Sequence, residues 1–427
     1  VKTKTSALLL AAIGVGTFTG AHATDGYFSI GYGMKANGRG GAAQGFTDDA
    51  FGGANNPASI VWVGNRVDVG ATLFDPERGA SRSGSAGAFG PMDPGRDFNQ
   101  SSDSTRFVIP EFAISHAVST DFAVGVSVYG NGGLNTNYAG NAFNGFCPQG
   151  PGTYNALCGQ GRLGVNLTQG LIAPTFAWRI DSHQSLGIAP VLGVQVFKSY
   201  GLQAFAANSS APGSLTGNGA DTSYGYGARI GYMLRANEQW SIGASYASRV
   251  HMSRLTHYEG LFADGGKFDI PSNWSIGVAY KPISALTIGL DFERINYSDV
   301  ASVHNPSTNQ MALGSGGGPG FGWNSISVYK LGAEFAATEL MTWRVGFNHG
   351  DDPISSRDVT FNILAPGVVQ DHFTGGLTYQ LSAHGEITAM YMHAFAHSVS
   401  GASLIFGGTE QIHMYQNAYG VAYAHKF

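Results

Sequence analysis

"TSYGYGARIGYMLRANEQWSIGASYASRV", residues 222–250, alternates with a period of two on either side of a short break. On the first half one parity reads Tyr224, Tyr226, Ala228, Ile230, Tyr232, Leu234, and the other reads Gly225, Gly227, Arg229, Gly231. After "ANEQ" (236–239) the alternation resumes, with Trp240, Ile242, Ala244 and Tyr246 against Ser241, Gly243, Ser245, Ala247 and Arg249. A period of two marks strands, and a mostly polar break of four residues between two such runs marks a tight turn. One face is aromatic and aliphatic, with rings towards its ends. The other is small and polar. That is the dress of a strand with lipid on one side and water on the other.

The same pattern recurs in fourteen segments, at about 66–75, 103–116, 121–130, 162–180, 184–199, 222–235, 239–253, 270–281, 285–297, 323–337, 340–349, 370–381, 385–397 and 412–427. Short connections ("VSTD", "DSHQ", "ANEQ", "PISA", "ATEL", "SAHG") alternate with long ones. Short periplasmic turns, long external loops and an even strand count predict an all-β fold, a fourteen-stranded antiparallel transmembrane barrel with both termini in the periplasm. A soluble all-β protein would have to hide every outward row of Tyr, Trp and Leu.

Composition agrees. Charged residues are 12 % of the 427, about half the usual share, while Gly numbers 63 and Phe and Tyr together 45. Mean hydropathy is −0.03, and beyond the N-terminus no run of about 18 apolar residues suits a helical span. Net charge is −5 without a basic cluster, so nucleic acid is not an expected partner.

Residues 1–23 read as a signal peptide: Lys2 and Lys4, an apolar run from Ala7 to Phe18 too short to span, and the Ala21-His22-Ala23 cleavage site. An anchor helix is the competing reading. The mature chain is expected to begin at Thr24, in an oxidising compartment. There Cys147 and Cys158, in a Gly- and Pro-rich stretch, are expected to form a local disulfide worth roughly 2–3 kcal/mol to loop order. A metal site at this pair lacks further ligands.

Between the signal and the barrel (61–427) lies a segment, 24–60, containing "TDDAFGGANNPAS" (47–59). A fourteen-stranded barrel encloses a lumen that leaks unless filled. A compact hatch folded into that lumen accounts for both the length and the glycines of the segment. Pro57 fixes a turn, and Asn56 can bond its own backbone.

Asp48, Asp49, Asn56, Pro57 and Ala58, in the set "Gly41-Ala42-Ala43 … Asp48-Asp49-Ala50 … Asn56-Pro57-Ala58", resemble the N-terminal hatch of the FadL/TodX (OmpP1) family of outer-membrane transporters of hydrophobic compounds. The resemblance extends through "IPEFAISHAVSTDFAVGVSVYGNGGLNTNY" (109–138), "PSNWSIGVAYKPISALTIGLDFERINYSDV" (271–300), "WRVGFNHGDDPI" (343–354) and "APGVVQDHFTGGLTYQ" (365–380). It implies passive uptake without catalysis or cofactor. Ligand is caught among the external loops, passes to a lumenal pocket above the hatch, and leaves sideways into the bilayer through a kink in the third strand. By the resemblance that exit falls at Tyr129, Gly130, Asn131, Gly132 and Gly133. The alternative for these glycines is an ordinary start of a loop. Lateral release keeps an acyl tail dry, at about 0.8 kcal/mol per methylene.

Fatty acids and monoaromatic hydrocarbons are both ligands within that family; long-chain fatty acids are the expected cargo here, with aromatic hydrocarbons the alternative. A general porin needs no N-terminal plug. A barrel lipase needs a Ser-His pair at the lipid edge that no motif here marks. Parity places Arg229, Arg249, Lys330, Arg344, Met390 and Met392 on the lumenal face. The methionines suit flexible apolar ligands. The cations either receive a carboxylate or pair with lumenal acids. No metal is expected: His393 and His397, four apart on a strand, stand about 13 Å from one another. "GSGGGPGFG" (314–322) lacks the Lys-Ser/Thr of a phosphate loop. Terminal Phe427 resembles the signal that outer-membrane proteins present to the barrel-assembly machinery. The other expected partners are outer-membrane lipid and the hydrophobic ligand itself, and the protein is expected to be a monomer.

Overall fold

The computed structural model describes residues 25–427; the expected signal peptide, residues 1–23, and Thr24 lie outside them. Fourteen antiparallel strands form one closed barrel. They are β1 (Arg66–Ser83), β2 (Phe107–Ala117), β3 (Phe122–Asn135), β4 (Gly164–Arg179), β5 (Gln184–Tyr200), β6 (Asp221–Arg235) and β7 (Trp240–Ala247). The circuit continues with β8 (Asn273–Ile283), β9 (Leu286–Ile295), β10 (Ile326–Ala336), β11 (Met341–Gly350), β12 (Asp371–Gln380), β13 (Gly385–Ala402) and β14 (Thr409–Lys426). Closure is direct: β1 pairs with β14 from Arg66↔Lys426 to Ser83↔Thr409.

The two faces follow the parity of the sequence. On β14, Tyr415, Tyr419, Val421 and Tyr423 are exposed while Met414, Gln416 and Ala418 are buried. On β6, Tyr224, Tyr226 and Ile230 face out and Arg229 is buried. Trp240 and Tyr280 stack across β7 and β8 with centroids 4.2 Å apart, the kind of ring pair that girdles a membrane interface. Among the described residues no helix is long and apolar enough to cross a membrane.

Strand limits differ from expectation at the loop end. β1 runs on to Ser83, β13 to Ala402, and β14 begins at Thr409, so the expected long loop 398–411 is a hairpin with a short turn. Beyond the lipid no row of apolar side chains is required, so "SVSGASLIFGGTE" carries no period although its backbone stays paired. In the opposite sense β7 stops at Ala247, and Arg249 stands beyond it.

The chain from Asp25 to Asn65 packs against the inner wall. It contains a short helix, Met34–Gly38, and 3-10 turns at Phe51–Gly53 and Pro57–Trp62. Gly40 donates to Thr374 Oγ1 at 2.8 Å, Ala43 and Gln44 donate to Asp291 Oδ2 at 2.7 and 2.9 Å, and Lys330 donates to the Ile30 carbonyl at 2.7 Å. Ser241 donates to the Gly45 carbonyl, and Ser185 to that of Ala58. These contacts reach strands β5, β7, β9, β10 and β12. Inward glycines make the approach possible: a Cβ at Gly243 would overlap the Gln44 carbonyl. At its end, the guanidiniums of Arg179 and Arg235 both stand over the Trp62 ring, 4.2 and 4.8 Å from its centroid.

Candidate functional site: a gap in the wall, an apolar cleft and a charged lumen

The β2–β3 ladder begins at Ala117↔Ala123 and ends at Phe112↔Val128. Above that point β2 continues to Phe107 along β1, whereas β3 pairs only with β4. The β3–β4 register slips between Gly130 and Gly132, leaving Asn131 as a bulge. A bulge bends its strand and interrupts pairing. Tyr129, Gly130, Asn131, Gly132 and Gly133 are therefore strand residues, not the start of a loop.

The N-terminal segment takes the vacant edge. Phe28 forms an antiparallel bridge with Gly132, and the Ser29 amide donates to the Asn131 carbonyl at 3.2 Å. The Asn131 side chain accepts from Tyr32 Oη and donates to Gln169. Tyr27 is enclosed by Tyr297, Trp323 and Phe268, with centroids 5.4, 5.8 and 6.2 Å away. Tyr297 Oη both accepts from the Tyr27 amide and donates to the Asp25 carbonyl.

Asp48 receives Arg39 through both terminal nitrogens, at 2.7 and 3.1 Å, and Arg39 also reaches Glu334 at 2.9 Å. Arg344 closes the cluster, 2.7 Å from Glu334 and 3.7 Å from Asp48. Asp49 turns back to accept from the Phe51 amide. Burial, then the charges of Asp48 and Asp68, push its carboxyl up to about 7. Asn56 accepts from the Ala58 amide and donates to the Gln44 and Tyr232 carbonyls, with Pro57 opening the 3-10 turn. "DDA…NPA" is thus a set of anchors.

The expected lumenal cations divide. Lys330 and Arg344 are buried and paired, Lys330 with Glu293 at 2.6 Å. Arg229 is buried and donates to the Asn55 carbonyl. Arg249 corrects the parity reading: past the end of β7 it is 40 % exposed and donates to the Asp299 carbonyl among the loops. Met390 and Met392 are buried facing inward, with Met414 and Met34. Arg39, Lys35 and Arg78 were missed, because period-two reasoning says nothing about a segment without period or about strand beyond the lipid.

Over the barrel the loops fold together. The hairpin Phe143–Cys147/Gly150–Tyr154 ends at the Cys147–Cys158 disulfide, with Cα atoms 5.6 Å apart. Beside it a narrow cleft, with free space of about 50 Å³, is lined by Leu157, Val165, Phe197, Leu202, Phe205, Leu215, Leu261, Phe262, Leu313, Phe321, Phe361 and Leu364, with Ser302 the only polar side chain and no charge. Such a surface takes apolar matter. No sequence pattern marks it, since its residues come from five connections and the ends of β4 and β5.

Three comparisons bear on this arrangement. Among curated proteins no match is found. The structure is similar to the toluene transporter TodX of Pseudomonas putida, with 16 % identity and a TM-score of 0.67 over 93 % of this chain and 99 % of that one. It is also similar to a FadL homologue of Pseudomonas aeruginosa (14 %, 0.66, 94 % and 100 %) and to the toluene transporter TbuX of Ralstonia pickettii (16 %, 0.64, 93 % and 99 %). At these identities the likeness establishes the fold. The family model described as "Outer membrane protein transport protein (OMPP1/FadL/TodX)" matches residues 17–424, so this outer-membrane barrel is a transport channel, not an enzyme, and the chain belongs to that family.

Proposed function

We propose that the protein carries long-chain fatty acids passively across the outer membrane, with the segment up to Ile60 as a hatch. Ligand is captured in the apolar loop cleft and descends past Met390 and Met392. It is released sideways between β2 and β3. The observation that carries this reading is the interrupted β2–β3 ladder beside the Asn131 bulge, covered only by the chain around Phe28. Lipid-facing Val108 stands at that interruption, so a tail leaving there passes from apolar wall to apolar bilayer. A straight path into the periplasm would cost about ten kcal/mol or more for a sixteen-carbon tail.

One observation favours aromatic hydrocarbons instead. The loop cleft contains no charge to meet a carboxylate, and two of the similar structures are toluene transporters by name. Uptake assays in cells lacking their own carriers separate the readings. Expression of this protein is expected to accelerate hexadecanoate uptake far more than toluene uptake; acceleration of toluene alone would select the second reading, and of neither would overturn both.

A further inference from the structure

Buried cations in this lumen are almost all ion-paired: Arg39 with Asp48, Arg66 with Asp68, Arg82 with Glu410, Lys330 with Glu293 and Arg344 with Glu334. Arg229 lacks a carboxylate but is turned to the Asn55 carbonyl. Arg78 is different. It points inward from β1, 3 % exposed, and Nη1 donates to the Ser104 carbonyl at 3.2 Å. Nη2 is buried without a partner, and among the described residues no carboxylate pairs with Arg78. Leaving a guanidinium out of water and half unbonded is costly, and buried charges are as a rule paired.

Two more unsatisfied groups stand with it. Tyr138, fully buried, has an unpartnered hydroxyl and is an electrostatic neighbour of Arg78. Gln416 is fully buried on β14, diagonal to Arg78 across the β1–β14 ladder, and neither atom of its amide has a partner. Directly opposite Arg78 is Met414, and the Phe107 ring is 6.0 Å from the guanidinium. A cation, a phenol and an amide with free hydrogen-bonding capacity, set among a thioether and a ring, form a receptor for one chemistry: an anionic oxygen pair on an apolar body.

We propose that Arg78, with Tyr138 and Gln416, receives the carboxylate of an apolar acid inside the barrel. This rests on the reading of the chain as a carrier of hydrophobic compounds and adds where the acid group is held. The loop cleft then selects for the tail, and the Arg78 site selects for the head.

The test uses the full chain purified in detergent, titrated with hexadecanoic acid and with its methyl ester. The wild type is expected to bind the acid about ten-fold or more tightly than the ester, the discrimination a charged hydrogen bond supplies. Arg78→Gln should bring that ratio to about one while keeping the ester affinity. Tyr138→Phe, which removes one oxygen and nothing else, should lower the ratio several-fold and keeps the test open should Arg78→Gln not assemble. Equal binding of acid and ester by the wild type, or an unchanged ratio in Arg78→Gln, overturns the assignment. Binding of ester and toluene without any gain for the acid overturns it while the carrier reading stands; binding of none of the three removes both.

Discussion

Phe28 and Gly132 lie 104 residues apart and form a single antiparallel bridge across the place where β2 would otherwise pair with β3. The approach is so close that a Cβ at position 132 would overlap the Tyr27 carbonyl oxygen. The wall at this point is therefore completed by the N-terminal segment, held there by one bridge, the Ser29–Asn131 hydrogen bond and the aromatic cage around Tyr27.

Gly132→Ala should displace Tyr27 and Phe28 without filling the gap, because backbone rather than a pliant side chain is in the way. Small-solute conductance in planar bilayers is expected to rise. Gly132→Trp adds on the order of 200 Å² of ring surface and should also stop hexadecanoate uptake, with barrel assembly intact. Normal conductance in the alanine variant would show that the segment does not seal the wall.

Arg39→Ala should loosen the segment from its other side. The substitution leaves Asp48 and Glu334 facing each other with Arg344 alone between them, and breaking a buried pair costs about 3 kcal/mol or more. Limited proteolysis of membranes is expected to cut near residues 25–60 faster than in the wild type. Equal rates would contradict the anchoring role of the Asp48 cluster.

Docking of the segment should weaken as pH rises. Asp49 has its carboxyl pushed up to about 7 by burial and by Asp48 and Asp68. The docked state therefore holds a proton that the released one gives up near 4. The favourable contribution is complete below about pH 4 and is lost as pH rises through 7. Conductance should grow between pH 5 and pH 8. Asp49→Asn, which retains the acceptor for the Phe51 amide, should reduce that dependence, with buried Asp25, its carboxyl also pushed up to about 7, supplying the remainder.

The barrel was legible because lipid and water impose a period of two, as Tyr415, Tyr419 and Tyr423 against Met414, Gln416 and Ala418 display. Arg229, Lys330 and Arg344 were placed inward by that period alone. Where the lipid ends the signal ends: β13 runs on to Ala402 through "SVSGA", and Arg249 falls off the end of β7. Which lumenal cations have acids beside them depends on register across strands, so Arg344 meeting Glu334 and Arg78 meeting none are facts of three dimensions. The loop cleft is further still from sequence, since Leu157, Leu261 and Leu313 approach one another only through folded loops.

Ligand leaving through the wall between β2 and β3 must pass lipid-facing residues beside the gap, and photo-crosslinking of ligand in transit detects that passage. A photoreactive residue is placed at Val108, lipid-facing beside the interruption, or at Trp343, equally lipid-facing on β11. Radiolabelled hexadecanoate is then supplied from outside to intact cells under illumination. Lateral release predicts strong labelling at 108 that scales with flux and little at 343. Equal labelling at the two positions, or uptake without labelling at 108, would contradict lateral release and favour an axial path past the displaced segment.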